Sequence, residues 1–157
     1  MRYYVVADIH GYYTELRHTL KTTGFDDDNG RCKVIVCGDL FDRGQEATQL
    51  QTYILQLMHE DRIILIRGNH EDLYRELVDV DNGIAYQHHI SNGTYDTALQ
   101  LTKYDPVMAK IRNYDFAEAA KKTPYYQKIM PSICFWHGKQ VLRSTDAGAK
   151  RSPPRQV

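Results

Sequence analysis

The sequence predicts an α/β fold with a mostly parallel sheet and a helical cap segment, on three observations. Three short apolar runs, Tyr3–Ala7, Val34–Cys37 and Ile63–Ile66, show no alternation and read as strands buried on both faces. The segments between them carry apolar residues at helical spacing, as the crossovers of parallel strands do. Each run also ends in side chains suited to metals or phosphates: Asp8-Ile9-His10-Gly11, Gly38-Asp39-Leu40-Phe41-Asp42-Arg43-Gly44, and Arg67-Gly68-Asn69-His70-Glu71. Open α/β sheets bind ligands at the carboxyl ends of their strands, so the three ends should converge on one site.

Taken in order, Tyr3–Ala7 is the first strand, and Thr14–Thr22 is a short helix with Leu16 and Leu20 on one face and Gly24 as its stop. Asp26-Asp27-Asp28-Asn29-Gly30 lacks the spaced ligands and closing Glu of a calcium loop and reads as a solvated turn. After the central strand, Gln45–Met58 places Ala47, Leu50, Ile54 and Leu57 on one face of a crossover helix. Strand, helix, strand, helix, strand predicts a doubly wound arrangement with right-handed connections. Beyond Glu71, Leu73, Leu77 and Val78 continue a helix that Asp81-Asn82-Gly83 breaks. Residues 83–131 are helical in patches, clearest over Tyr95–Leu101 and Phe116–Lys122, with Thr123-Pro124 opening a last short helix. Their tyrosines suit core and rim, since no basic residues interleave with them as on a nucleic-acid platform. Ile133–Trp136 can form a further strand.

Lys plus Arg and Asp plus Glu are balanced at 20 each, so the global charge favours neither nucleic acid nor a membrane surface. Three cysteines without paired spacing, Cys32, Cys37 and Cys134, read as small buried hydrophobes in a reducing compartment. Met1 runs straight into the first strand, leaving no room for a signal peptide, and a cytoplasmic location is expected. The residues alone leave the oligomeric state open.

The strand-end residues suit phosphate chemistry. Asp8 and His10 can reach one cation, Asp39 can bridge it to a second, and Asn69 offers that second ion an amide oxygen. Two such ions clamp an in-line attack on phosphorus and acidify a water. His70 diverges from its neighbour Asn69, is placed to give a proton to the leaving oxygen, and has Asp42 as the carboxylate that can orient it. Arg43 can present a fork to two phosphate oxygens, and Arg67 can add positive potential. His18, His59, His88 and His89 sit at no expected strand end and read as surface or packing residues.

These three motifs resemble those of the calcineurin-like metallophosphoesterases. The Asp42-Arg43-Gly44 ending and the Arg67-to-Glu71 form resemble the phosphoprotein phosphatase branch, including the bacteriophage lambda type of serine/threonine phosphatase. The resemblance implies the N-terminal half of a metallophosphoesterase α/β sandwich. It also implies two divalent ions (Mn, Fe or Zn), with Asp8, His10 and Asp39 at one and Asp39 and Asn69 at the other. His70 with Asp42 would be the acid pair, and Arg43 would lie on the phosphate.

The family completes its metal shells with later histidines in His-Gly and Gly-His motifs. This sequence has no Gly-His dipeptide, and only His137-Gly138 loosely resembles the first motif, which makes His137 a further candidate ligand. Residues 138–157 are basic and aperiodic, with Pro153-Pro154, and are expected to be a disordered tail behind an incomplete domain at 1–137. The chain therefore reads as truncated or frame-shifted. The expected activity is metal-dependent hydrolysis of phosphomonoesters, with a phosphoprotein or a phosphorylated small molecule as substrate. The alternatives are hydrolysis of dinucleoside polyphosphates, or a metal-binding remnant with little activity.

Overall fold

The computed structural model of the chain describes residues 1–28, 31–79, 86–137 and 140–143. The three apolar runs form β1 (Arg2–Ala7), β2 (Cys32–Cys37) and β3 (Ile63–Ile66). They pair in parallel, with Val6 opposite Val36 and Val36 opposite Leu65. Their last residues, Ala7, Cys37 and Ile66, are thereby in register, so the loops that follow start from one edge. A fourth strand, β4 (Cys134–His137), lies parallel to β3, and β5 (Gln140–Arg143) lies antiparallel to β4, in the order β1-β2-β3-β4-β5.

Each crossover helix buries the face its spacing predicts. In α1 (Tyr13–Thr22) Leu16 and Leu20 are buried, and Gly24 leaves the helix end at φ 86°. In α2 (Ala47–His59) Ala47, Leu50, Ile54 and Leu57 are buried. The two helices lie side by side, with the Tyr13 and Tyr53 rings 5.8 Å apart and Arg17 Nη1 donating to the Tyr53 hydroxyl at 2.9 Å.

This corrects the doubly wound expectation. Strands placed in chain order step in one direction, and crossovers of one hand then put their helices on one face. Periodicity does not encode the direction of each step. Burial agrees with the one-sided layer: Tyr4 and Val6 are half-buried under the helices, whereas Tyr3 is 51 % and Val5 65 % exposed on the opposite face. On β2, Val34 and Val36 are buried while Ile35 is half-buried and Cys37 exposed. Among the described residues, the β1 run read as buried on both faces is covered on one, while β2 and β3 are partly covered on the second through Ile35, Ile64 and Ile66.

The cap comprises α3 (Asn69–Val78), α4 (Tyr86–Ser91), α5 (Thr94–Thr102), α6 (Pro106–Ile111) and α7 (Asn113–Lys121). The expected last helix is instead a π turn, Tyr125–Ile129, running into α8 (Met130–Ser132). Tyr125 gives its N–H, a first-turn amide with no partner inside the turn, to Gln51 Oε1 at 2.8 Å. Its ring, fully buried, packs against Phe41 at 4.5 Å and Tyr74 at 4.7 Å, tying the cap to the loop after β2 and to α3. Burial pushes both phenols well above their ordinary range.

All three cysteines are free; Cys32 and Cys134 are buried as expected, and Cys37 is exposed at the strand end. Gln140–Arg143, read as part of a disordered tail, instead form β5. Two apolar residues between polar ends make too short a signal for a strand, and pairing with β4 supplies the rest. The remainder of the expected tail, the Asn29-Gly30 turn and the Asp81-Asn82-Gly83 break lie outside the described residues. Among the described residues no helix is long and apolar enough to cross a membrane.

Candidate metal centre

The loops at the carboxyl edge of the sheet adopt a backbone that side-chain-bearing residues rarely take. Among the described non-glycine residues, seven have positive φ, and five of these are strand-end candidates: Asp8 (51°), His10 (49°), Asp39 (52°), Asp42 (77°) and Arg43 (65°). Each such conformation is strained and persists only where neighbours over-determine it.

The neighbours here are the loops themselves. His10 N donates to Asp39 O at 2.9 Å, Gly11 N to Leu40 O at 2.9 Å, and Gly44 N to His10 O at 2.8 Å. A Cβ on Gly44 would stand 2.6 Å from the His10 carbonyl oxygen, so this crossing admits only glycine. The third loop is tied in by Glu71, 3 % exposed, which accepts from Gly68 N at 2.7 Å, Leu40 N at 2.9 Å and Asp39 N at 3.2 Å.

Replacing Glu71 by Ala strands three amides with no partner to replace the carboxylate. The expected loss is about 3 kcal/mol or more of folding stability. A urea midpoint lowered at unchanged slope is the readout; a shift worth under about 1 kcal/mol would mean that water replaces the carboxylate there.

Within this frame His10, Asp39 and His70 each offer one ligand atom, all within 4.8 Å of one another. His10 Nδ1 lies 3.1 Å from the Phe41 carbonyl oxygen, which can only accept, so Nδ1 carries the proton and Nε2 keeps its lone pair. Metal-binding imidazoles are commonly oriented in this way. Asp39 Oδ1 accepts from His70 N at 3.1 Å. Two imidazoles and a carboxylate suit a divalent transition ion, so the residues present fit a cation of that class.

His70 is held from its other side. Its Nδ1 lies 2.8 Å from Asp42 Oδ2, and the two side chains are 4 % and 2 % exposed. Thr94 Oγ1 donates to the same oxygen at 2.7 Å, and Asp42 N donates to Thr97 Oγ1 at 2.9 Å.

The other expected residues are less closely gathered. Asp8 is exposed and outside the three-residue group, lining an open groove with Val6, Ile9 and Tyr12. Asn69 is exposed at the first position of α3, and Arg43 is exposed without an ion pair among the described residues. Arg67 is ion-paired with Asp72. His137 ends β4 opposite Gln140, and its side chain lies outside what is described. Of the histidines read as surface or packing, His18, His59 and His88 are exposed; His89 is buried, which lowers its pKa.

Sequence reasoning missed Glu71 as the tie between loops, and Thr94, Thr97 and Gln100. Glu71 had a signal, an acid at the third helical position after a turn, where it can reach back to a free amide. Thr94 and Thr97 had none, being 52 and 55 residues from the aspartate they hold. Gln100 likewise reaches back, donating to Gly44 O at 3.0 Å and accepting from Ala47 N at 2.9 Å.

Comparison with known proteins places this geometry. The family profile for calcineurin-like phosphoesterases matches residues 1–145. The chain is 46% identical over 74 residues to serine/threonine-protein phosphatase 7 of Arabidopsis thaliana, covering 45% of this chain and 17% of that protein. It is 25% identical over 133 residues to the asymmetrical bis(5'-nucleosyl)-tetraphosphatase PrpE of Bacillus velezensis, covering 80% and 51%. To the symmetrical bis(5'-nucleosyl)-tetraphosphatase of Buchnera aphidicola it is 34% identical over 71 residues, covering 45% and 24%. The matched stretches thus span about half of these relatives or less.

Proposed function

The chain belongs to the calcineurin-like phosphoesterase family, and from that premise we propose that it hydrolyses phosphomonoesters with divalent metal ions, acting on phosphoserine or phosphothreonine in proteins. The observation that carries the reading is the buried Asp42–His70 pair, with Nδ1 and Oδ2 at 2.8 Å, standing against His10 and Asp39. A proton donor held beside a metal-type donor set is what cleavage of a poor leaving group requires.

In this reading Asp8, His10 and Asp39 hold one ion and Asp39 and Asn69 the second, with Mn, Fe or Zn as candidates and His137 as a further ligand. When bound, the ions acidify a water near neutral pH and neutralise phosphate charge. Asp42 accepts the Nδ1 proton of His70, which keeps Nε2 turned away from Asp42 and free for the substrate side. Protonated there, Nε2 gives its proton to the departing oxygen. Arg43, exposed at the rim, presents its fork to the phosphate oxygens, and Arg67 joins it on release from Asp72. Three free thiols fit a reducing cytoplasm.

Hydrolysis of dinucleoside polyphosphates is the second reading, favoured by the relative whose match covers 80% of this chain. The first test is release of phosphate from a small aryl phosphate with manganese. Release should stop on chelation and return when the metal is restored. Competition between a phosphopeptide and a dinucleoside tetraphosphate then separates the two substrate classes. No release with manganese, iron or zinc would leave a metal-binding remnant as the surviving reading.

A further inference from the structure

The general-acid pair depends on a carboxylate whose own orientation is soft. An aspartate side chain turns easily about its last torsion, so its hydrogen bonds decide which oxygen faces a partner. Asp42 is 1 % exposed, sits on a left-handed backbone at φ 77°, and has no water-facing side to satisfy its charge. Beside His70 from α3, its contacts come from the start of α5. Thr94, fully buried, places its hydroxyl 2.7 Å from Oδ2, the same oxygen that meets His70 Nδ1. Thr97, also fully buried, takes the Asp42 N–H. Gly93 lets α5 approach this closely, since a Cβ there would stand 3.0 Å from Arg43 Cα.

We infer that Thr94 is a positioning residue for the Asp42–His70 pair, fixing through one hydroxyl the carboxylate oxygen that holds the His70 ring; this rests on the phosphoesterase reading above. Against an ionised carboxylate the Thr94 hydroxyl can only donate, and such charge-assisted bonds are short and strong. Without it, Oδ2 keeps His70 as a partner but loses the constraint on its rotation, and the ring loses its fixed aim. A threonine buried for packing alone would tolerate valine, which has the same shape.

The experiment compares an alkyl phosphate, whose leaving alkoxide needs a proton, with a nitrophenyl phosphate, whose leaving group does not. Thr94→Val is expected to lower kcat roughly tenfold on the alkyl substrate, with KM unchanged, and less than about threefold on the aryl one. Thr94→Ser, which restores the hydroxyl, should recover most of the loss, and Thr94→Ala should repeat the selective deficit. Equal losses on both substrates, or a serine variant as slow as the valine one, would overturn the assignment.

A second readout needs no turnover. The His70 Nδ1 proton, assigned by its absence in His70→Asn, should give a downfield NMR resonance protected from exchange in the parent and in Thr94→Ser. In Thr94→Val it should broaden into exchange, and an unchanged resonance there overturns the inference. If the parent chain hydrolyses neither substrate, the functional reading falls, and this resonance still decides Thr94 either way.

Discussion

Asp39→Asn is expected to lower kcat/KM for an aryl phosphate about a thousandfold, the equivalent of about 4 kcal/mol of lost transition-state stabilisation. The substitution keeps an oxygen for the His70 N–H at 3.1 Å, so the turn it supports should survive. What it removes is the negative charge at the centre of the His10, Asp39 and His70 group. Metal bound per chain should fall in parallel, while the thermal midpoint of the metal-free protein moves little. Activity lost with metal content unchanged would mean that Asp39 acts on substrate rather than on an ion. Activity retained would remove the carboxylate from the mechanism altogether.

His70→Asn should cost about 10²- to 10⁴-fold in kcat on an alkyl phosphate, the range that a positioned proton donor supplies. The same variant decides between two roles that geometry leaves adjacent. His70 lies within ligand distance of His10 and Asp39, yet its Nδ1 is committed to Asp42. As a proton donor it should be dispensable for metal binding, and its loss should weigh more on poor leaving groups than on good ones. As a ligand, its loss should release metal and slow both substrates alike. Atomic absorption on the purified variant, together with the two rates, separates these outcomes.

The strand ends announced themselves, because apolar runs that stop in Asp, His, Asn and Arg carry both a structural and a chemical signal within a few positions. Ile63–Ile66 matches its strand residue for residue, and the buried faces of α1 and α2 are the ones their spacing predicts. Thr94 was silent because a threonine just before the expected Tyr95–Leu101 helical patch resembles any other until a buried carboxylate is set beside it. The face of β1 left uncovered among the described residues was equally silent, since an apolar run shows what a strand can bury and not what arrives to cover it.

The sequence alone determined the strands, the crossover helices and the kinds of atoms gathered at the sheet edge, since these follow from short-range periodicity and side-chain chemistry. Only the tertiary structure decided that the helices share one face, that Glu71 ties the loop after β3 to the loop after β2, and that Asp42 is clamped by α5. Those are contacts between residues tens of positions apart. Their energies depend on burial and on hydrogen-bond geometry, which no local pattern encodes.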